Sequence, residues 1–384
     1  MKPIRILHTA DWHLGAYLGN FSRIAEQQLF LEQLCRIVAE NAVGMVIIAG
    51  DIYDSTNPPA AAEALFYTFL ARLSEMKVPV VACAGNHDSA ERLNALIPMV
   101  GELGVSIFAN PGWVEINIKG QSAIIAAMPF ISEKRLNEAI FTSGDEATMQ
   151  KEYSAKIAAL FAQSTAHFRP DTANIAIGHF HIAGGEASRG LERDIQLGGV
   201  FAVSPVDMPR ADYIAMGHLH RAQKIACGDG AQAHYAGSPL PYSLSERGQP
   251  KSVNIVDIEL GQAAVVSKTF LDCPKPIEIW ETRTAAEAIE RCKEPSDAYK
   301  YIVITDEPTI SAYDIKEMRR LAPDIVSIEI AMVNQGAAEF SVESLRLLAP
   351  REEFANFYEK AKGTLPSKHI VSIFDEILSD EEMS

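Results

Sequence analysis

Short, nearly unbroken apolar runs alternate along the first hundred residues with longer stretches of helical spacing. "IRILHTA" (4–10), "VGMVIIAG" (43–50) and "VPVVACAG" (78–85) read as buried strands, each bounded by polar or turn-forming residues. Between them, "SRIAEQQLFLEQLCRIVAEN" (22–41) carries Ile24, Leu29, Leu31, Leu34, Ile37 and Val38 at helical spacing, with Ser22 available as its cap. "PPAAAEALFYTFLARLSEM" (58–76) predicts a helix entered through proline. The order βαβαβ implies a parallel sheet with right-handed crossovers, and so an α/β fold.

Strand-like runs at 105–109, 113–118 and 122–128 precede a helical stretch at 146–164. Strands are predicted again at "NIAIGHF" (174–180) and "YIAMGHL" (213–219), and "SVNIVDIEL" (252–260) and "AAVVSKTF" (263–270) flank Gly261 as a hairpin. Two prolines in "LDCPKPIEIW" (271–280) mark a joint between a first domain, 1–270, and a small α/β module at 277–333. That module reads as strand, helix (284–293), strand (300–305), helix (311–321) and strand (325–332). Residues 334–350 read as a linker with a short helix. In the tail, Phe354, Phe357, Tyr358 and Ala361 share one helical face, and Ile370, Ile373, Phe374 and Ile377 another. Such faces either pack on their own domain or take a partner.

Composition narrows the class. Of 384 residues, 48% are hydrophobic and 22% charged, the balance of a globular protein. No apolar run reaches the roughly 20 residues of a membrane helix. The opening "MKPIRILHTADWH" has no secretory plan, so a cytoplasmic protein is expected. Five scattered cysteines form no CxxC pair, which fits reduced thiols. No GxxxxGK[ST] loop is present, so ATP binding through such a loop is not expected. A net charge of −16 argues against tight, unaided binding to nucleic acid, although bound cations and local fields override an average.

The polar residues collect where the strands stop. The first strand runs into Asp11 and His13, the second into Asp51 with Asp54 beyond, and the third into Asn86, His87 and Asp88. Two later strands run into "GHFH" (178–181) and "GHLH" (217–220). Taken singly, each is a common turn or cap. Independent turns do not explain why Asp, His and Asn recur at successive strand ends, where α/β proteins bind ligands. If the backbone stays extended, His218 and His220 point the same way. Carboxylate, carboxamide and imidazole without thiolate suit Mn²⁺, Fe²⁺ or Zn²⁺. There are more ligands than one ion needs. A pair of ions sharing a bridging Asp would use them, and such pairs hydrolyse phosphate esters.

The ordered set D-x-H, GDxxD, GNHD, GH and GHxH resembles that of the calcineurin-like metallophosphoesterase superfamily. "ILHTADWHLG" (6–15), "IIAGDIYDSTNPP" (47–59), "AGNHDS" (84–89), "ADYIAMGHLHRAQ" (211–223) and "YAGSPLPYSLSERG" (235–248) are similar to its DNA-repair nuclease branch. The resemblance implies a layered α/β/β/α sandwich with two Mn²⁺ ions. Asp11, His13, Asp51 and His220 would hold one ion. Asp51, Asn86, His179 and His218 would hold the other. His87 would act as general acid or transition-state stabiliser, or else as a hydrogen-bonding neighbour. Asp88 would orient His87 or cap the following helix, and His181 is left as a neighbour, a substrate contact or a surface residue. His8 is expected to be packed in the core.

The implied reaction is hydrolysis of DNA phosphodiesters, with the 3′ oxygen leaving. The implied setting is a homodimer in a heterotetramer with a separate ATPase. The module at 277–333 would cap the site and present DNA, and the tail would dock on the ATPase. Arg189, Arg193, Arg210, Arg221 and Lys224 are candidate phosphate contacts or ordinary surface charges. A phosphatase or phosphodiesterase of small substrates, and a non-catalytic scaffold for the ATPase, are the rival readings.

Overall fold

The computed structural model of the chain describes residues 3–132, 140, 145–187, 201–331, 366 and 370. The chain divides into two compact units, 1–331 and 332–384. The linker and tail helices expected beyond 333 fall in the second unit and lie outside the described residues, apart from Pro366 and Ile370. Arg189 and Arg193 also lie outside them.

The predicted βαβαβ start is present as β1 (Ile4–Thr9), α1 (Ile24–Glu40), β2 (Met45–Ala49), α2 (Ala60–Glu75) and β3 (Val80–Cys83). A third helix, α3 (Ala90–Val100), leads to β4 (Val105–Phe108). Strands β1 to β4 pair in parallel. The hairpin β11 (Ser252–Ile258) and β12 (Val265–Phe270) completes this sheet antiparallel to β1, in the order β12-β11-β1-β2-β3-β4.

A second sheet is built from β5 (Gly112–Ile118), β6 (Gln121–Met128), β7 (Ala173–His179), β8 (Tyr213–Gly217), β9 (Gln223–Ala226) and β10 (Gln232–Tyr235). Its order is β9-β10-β8-β7-β6-β5, with β6, β7, β8 and β10 parallel. Helix α4 (Glu146–Thr165) covers its outer face. The third sheet is the small module: β13 (Ile277–Thr282), α5 (Ala285–Arg291), β14 (Tyr299–Ile304), α6 (Ala312–Leu321) and β15 (Ile325–Ile330), all three strands parallel.

Strand periodicity explains the layering. Because alternate side chains face opposite ways, each central strand feeds two cores. Val46 and Ile48 of β2 pack with Phe30, Leu34, Phe66 and Phe69 of α1 and α2. Met45, Ile47 and Ala49 meet Ile125, Ile175 and Ile177 of the second sheet. Met128, Ala176 and Ile214 pack on Tyr153, Ile157 and Phe161 of α4. The result is the expected helix–sheet–sheet–helix sandwich.

One local expectation is corrected, and three elements appear that the pattern did not predict. Ser22 does not cap α1: Arg23 occupies that position without a side-chain cap bond, and its guanidinium instead grips Glu26. Helix α3 is not predicted by the pattern; it is short, and only Leu93 and Val100 are buried on it. Strands β9 and β10 are short and largely polar, and tertiary pairing rather than pattern makes them strands.

His8 is fully buried, as expected, and its Nδ1 accepts from the Tyr213 hydroxyl at 2.8 Å. Burial pushes its imidazole down to about 3. An unfolded histidine takes its proton near pH 6.5. The stability contributed by neutral His8 is therefore complete above that value and is lost as pH falls from about 6.5 toward 3. Between about pH 7.5 and pH 5 the wild type should lose about 2 kcal/mol more than His8→Gln, read from urea unfolding.

Candidate metal centre

Five strand ends meet at one edge of the sandwich, three from the first sheet (β1, β2, β3) and two from the second (β7, β8). Strands β7 and β8 carry "GHFH" and "GHLH", so the two sheets face their chemistry across the shared core. Gly217 lets them close: a Cβ there would lie 1.8 Å from the Ala49 carbonyl oxygen. Gly85 does the same for the loops, since its Cβ would stand 2.0 Å from Asp51 Oδ1.

All seven candidate ligands are placed here. Asp11, His13, Asp51, His179, His218 and His220 are buried, and Asn86 is partly so. Asp11 (φ 54°), His13 (45°), Asp51 (48°) and His218 (96°) lie in the left-handed region. For residues with a Cβ this costs on the order of 1 kcal/mol each, and it persists only where surrounding bonds enforce it. The enforcing bonds are visible. Asp11 N–H donates to Gly50 O at 3.1 Å and His13 N–H to Asp51 O at 3.0 Å. The His218 N–H donates to Asp11 Oδ1 at 2.7 Å, tying the second sheet to the first.

The side chains form overlapping groups. Asp11, His13 and His220 offer ligand atoms within 4.8 Å of one another, and so do Asp11, Asp51 and His179. Asp51 Oδ2 lies 3.2 Å from His179 Nε2 and 3.6 Å from His13 Nε2, between the two groups. Asn86 Oδ1 is 3.1 Å from His179 Nε2 and 3.2 Å from His218 Nδ1. His13 and His220 confront each other through their Nε2 atoms at 3.1 Å.

Several of these rings are oriented by their far nitrogens. His179 Nδ1–H donates to Ala49 O at 2.8 Å, which leaves Nε2 to face the carboxylates. His220 Nδ1 donates to buried Glu246 Oε1 at 3.0 Å, and Glu246 in turn takes Lys251 Nζ at 2.5 Å and the Ser238 hydroxyl at 3.0 Å. The His13 Nδ1 atom lies 3.2 Å from Asp54 Oδ1. Fixing the outer nitrogen in this way is what metal-binding imidazoles need.

The electrostatics call for positive charge. Burial raises the Asp11 carboxyl. Burial works the same way on Asp51, but the neighbouring imidazoles of His179 and His87 outweigh it and hold Asp51 well below the usual carboxylate range. Burial lowers His179, and Asp51 more than reverses this, lifting it to about 9. Burial and then His179 push His218 down. A proton on His179 thus stands where a cation would. Asp11 Oδ2 is buried without a hydrogen-bond partner among the described residues. Imidazole nitrogens aimed at each other and at an amide oxygen likewise fit an intervening cation, and the site binds divalent metal.

His87 is half-buried against this cluster. Its ring meets His13 edge-on at 4.8 Å, and Nδ1–H donates to the Asp54 carbonyl at 2.8 Å. Asp88 does not cap α3. Its buried carboxylate accepts from Gly85, Ile52 and Tyr53 N–H at 2.8, 3.1 and 2.9 Å, clamping the second loop to the third, while Ser89 is the cap. His181 Nε2 lies 3.3 Å from the Gly185 carbonyl oxygen. Exposed Arg221 pairs with Glu186, while Arg210 and Lys224 are exposed.

Sequence reasoning missed the supports Glu246, Lys251 and Gln27. Gln27 donates to His13 O at 2.7 Å and accepts from Gly15 N–H at 2.9 Å. The available signal was a glutamine on the apolar face of a helix and a Glu–Lys pair inside a mostly uncharged segment.

An α/β/β/α sandwich with this acidic and imidazole cluster at the strand ends defines a metal-dependent phosphoesterase. The description "Calcineurin-like phosphoesterase" matches residues 4–222, and the chain belongs to that family. It is 36% identical to the SbcD component of the nuclease SbcCD from Bacillus subtilis (strain 168), across 99% of both chains. It is 33% identical to the same component from Rhodobacter capsulatus, over 79% of this chain and 77% of the other. With the Escherichia coli (strain K12) protein it shares 28% over 99% and 94%.

Two outcomes are expected. Asp88→Ala strands three buried N–H groups and should cost about 3 kcal/mol or more, measured by denaturant unfolding. Adding divalent metal to chelator-stripped protein should stabilise it by about 2.7 kcal/mol at 100-fold excess over Kd, seen as a rise in melting temperature.

Proposed function

We propose that the chain is a Mn²⁺-dependent DNA nuclease subunit acting with an SbcC-like ATPase in break and hairpin processing, recombination and repair. Its actions are 3′→5′ exonuclease cleavage of duplex ends and endonuclease cleavage of single strands and hairpins. The observation that carries this reading is Asp51 Oδ2, within 3.6 Å of imidazoles from both ligand groups, where one carboxylate would serve two ions. The relatives' name, that of a nuclease subunit matched over nearly the full chain, supports a nucleic acid as the substrate.

In this reading Asp11, His13, Asp51 and His220 would hold one Mn²⁺, and Asp51, Asn86, His179 and His218 the other. Bound ions supply Lewis acidity toward the phosphoryl oxygens and lower the pKa of water. The protein's own contribution is placement. The strained loops hold the carboxylates before any ion arrives, and Ala49 O and Glu246 fix which nitrogen of His179 and His220 is presented. His87 is the general acid: the Asp54 carbonyl holds Nδ1–H, so Nε2 can carry the proton given to the departing 3′ oxygen.

The net charge of −16 supports a division in which much of the DNA affinity comes from the ATPase. Residues 1–270 form the nuclease domain, 277–333 cap the site and present DNA, and 334–384 dock on the ATPase. The complex is a heterotetramer built on a nuclease homodimer, for which exposed Tyr67, Ile97, Met99 and Leu103 offer apolar surface. It works in the cytoplasm. Among the described residues no helix is long and apolar enough to cross a membrane.

The test is cleavage of end-labelled duplex and hairpin DNA with Mn²⁺, with and without the ATPase and ATP. His87→Gln should keep Mn²⁺ binding and lose about 100-fold or more in turnover. Turnover unchanged in that variant removes His87 from the chemistry. Rapid hydrolysis of small phosphomonoesters with no DNA cleavage, even with the ATPase present, overturns the nuclease reading.

A further inference from the structure

Arg23 is fully buried at the start of α1, an unusual place for a guanidinium. It bonds Glu26 through two nitrogens, at 2.6 and 2.9 Å, and its third contact is the Pro241 carbonyl at 2.6 Å. It stands between two aromatic rings, 5.1 Å from the centre of Tyr299 and 5.7 Å from that of Tyr242. A buried ion pair of this kind contributes little net stability compared with apolar packing, and its best-attested use is to specify a geometry.

The geometry it specifies has two sides. On one side is the third sheet. Tyr299 opens its central strand, β14, and donates its hydroxyl to Glu26 Oε2 at 2.8 Å. The same ring packs with Phe21 and lies under Lys275 Nζ at 4.3 Å. On the other side is the metal centre. The Tyr242 hydroxyl donates to the Trp12 carbonyl, next to His13 in the chain, and its ring meets His13 at 5.4 Å and His220 at 6.2 Å. Its backbone N–H donates to Glu246 Oε1 at 3.3 Å, the oxygen that also orients His220. Gln27, next to Glu26 on α1, bonds the Tyr242 hydroxyl at 3.3 Å and the His13 carbonyl at 2.7 Å.

A continuous buried polar path thus runs from the third sheet to two of the proposed ligands. We infer that Arg23 is a positioning residue: its pair with Glu26, completed by the Tyr299 hydroxyl, sets how His13 and His220 are presented to metal. The third sheet is then part of the support of the metal centre as well as a neighbour of it. This inference rests on the metal-centre reading given above.

The experiment uses the full chain stripped with chelator, Mn²⁺ alone as the probe, and three variants. Tyr299→Phe keeps the ring and removes the hydroxyl. Arg23→Lys keeps the charge and loses the two-pronged bond. Glu246→Gln, which alters the direct partner of His220, marks the size of a full effect at about 10-fold or more in Mn²⁺ affinity. Tyr299→Phe and Arg23→Lys should each weaken Mn²⁺ binding by calorimetry, by about 3- to 10-fold, and change the electron paramagnetic resonance spectrum of bound Mn²⁺. The metal-free melting temperature of Tyr299→Phe should stay close to that of the wild type. Wild-type affinity and spectrum in both variants, with or without a fall in melting temperature, overturn the inference and leave the metal-centre reading standing. A wild-type chain that binds no Mn²⁺ defeats that reading, and the inference with it.

Discussion

Two carboxylates with almost no exposure, Asp11 and Asp51, lie within a few ångströms of each other and need positive charge beside them. An isolated buried carboxylate is far too costly to keep ionised. The surrounding structure answers that need. Asp51 lifts His179 to about 9, and buried Asp11 Oδ2 has no hydrogen-bond partner among the described residues, so both carboxylates call for positive charge. The strained backbone at four of the seven residues follows from the same constraint: the loops hold lone pairs converging on common points instead of relaxing apart.

The sandwich makes this convergence possible. Strands of two different sheets end at the same edge, and packing across the inter-sheet core fixes how closely those ends approach. Gly217 sits where even a methyl group would strike the opposite sheet. Asp88 clamps two loops of one sheet, and the His218 amide ties the second sheet to Asp11 of the first. The imidazoles are then aimed by groups behind them, the Ala49 carbonyl and Glu246, so that precision at the centre derives from bonds one layer out.

That outer layer widens the functional unit. Glu246, Lys251, Gln27 and Arg23 come from segments far apart in the chain, and through Tyr299 they reach the third sheet. In the reading offered here, a module that presents substrate and a centre that cleaves it share one set of buried polar contacts. The acidic character of the whole chain agrees with a division of labour in which cations and a partner provide the attraction for a polyanion.

Much was legible before the fold was known. Apolar runs and helical spacing gave the order of β1 to β3, α1 and α2, the hairpin β11–β12 and the strands and helices β13 to β15, α5 and α6 within a residue or two. These elements bury strong periodic faces, and periodicity is a local property. The Asp, His and Asn residues at the strand ends announced themselves because turns do not need that chemistry. Helix α3 and strands β9 and β10 escaped notice, since they are half-exposed or exist only through pairing with distant segments. Ser22 and Asp88 each looked like a local cap, but Arg23 takes the cap position of α1, and Asp88 is drawn to the distant N–H groups of Ile52 and Tyr53 while its neighbour Ser89 caps α3.

By itself, the sequence determined which side chains are available for chemistry and at which strand ends they stand, because those facts depend on neighbours in the chain. Only the tertiary structure decided that Asp51 lies between His13 and His179, that Glu246 stands behind His220, and that buried Arg23 joins Tyr299 to Tyr242. Those relations span up to 276 positions, from Arg23 to Tyr299, and no local pattern encodes them. They arise when two sheets and a module close on one another and every buried charge must find its partner.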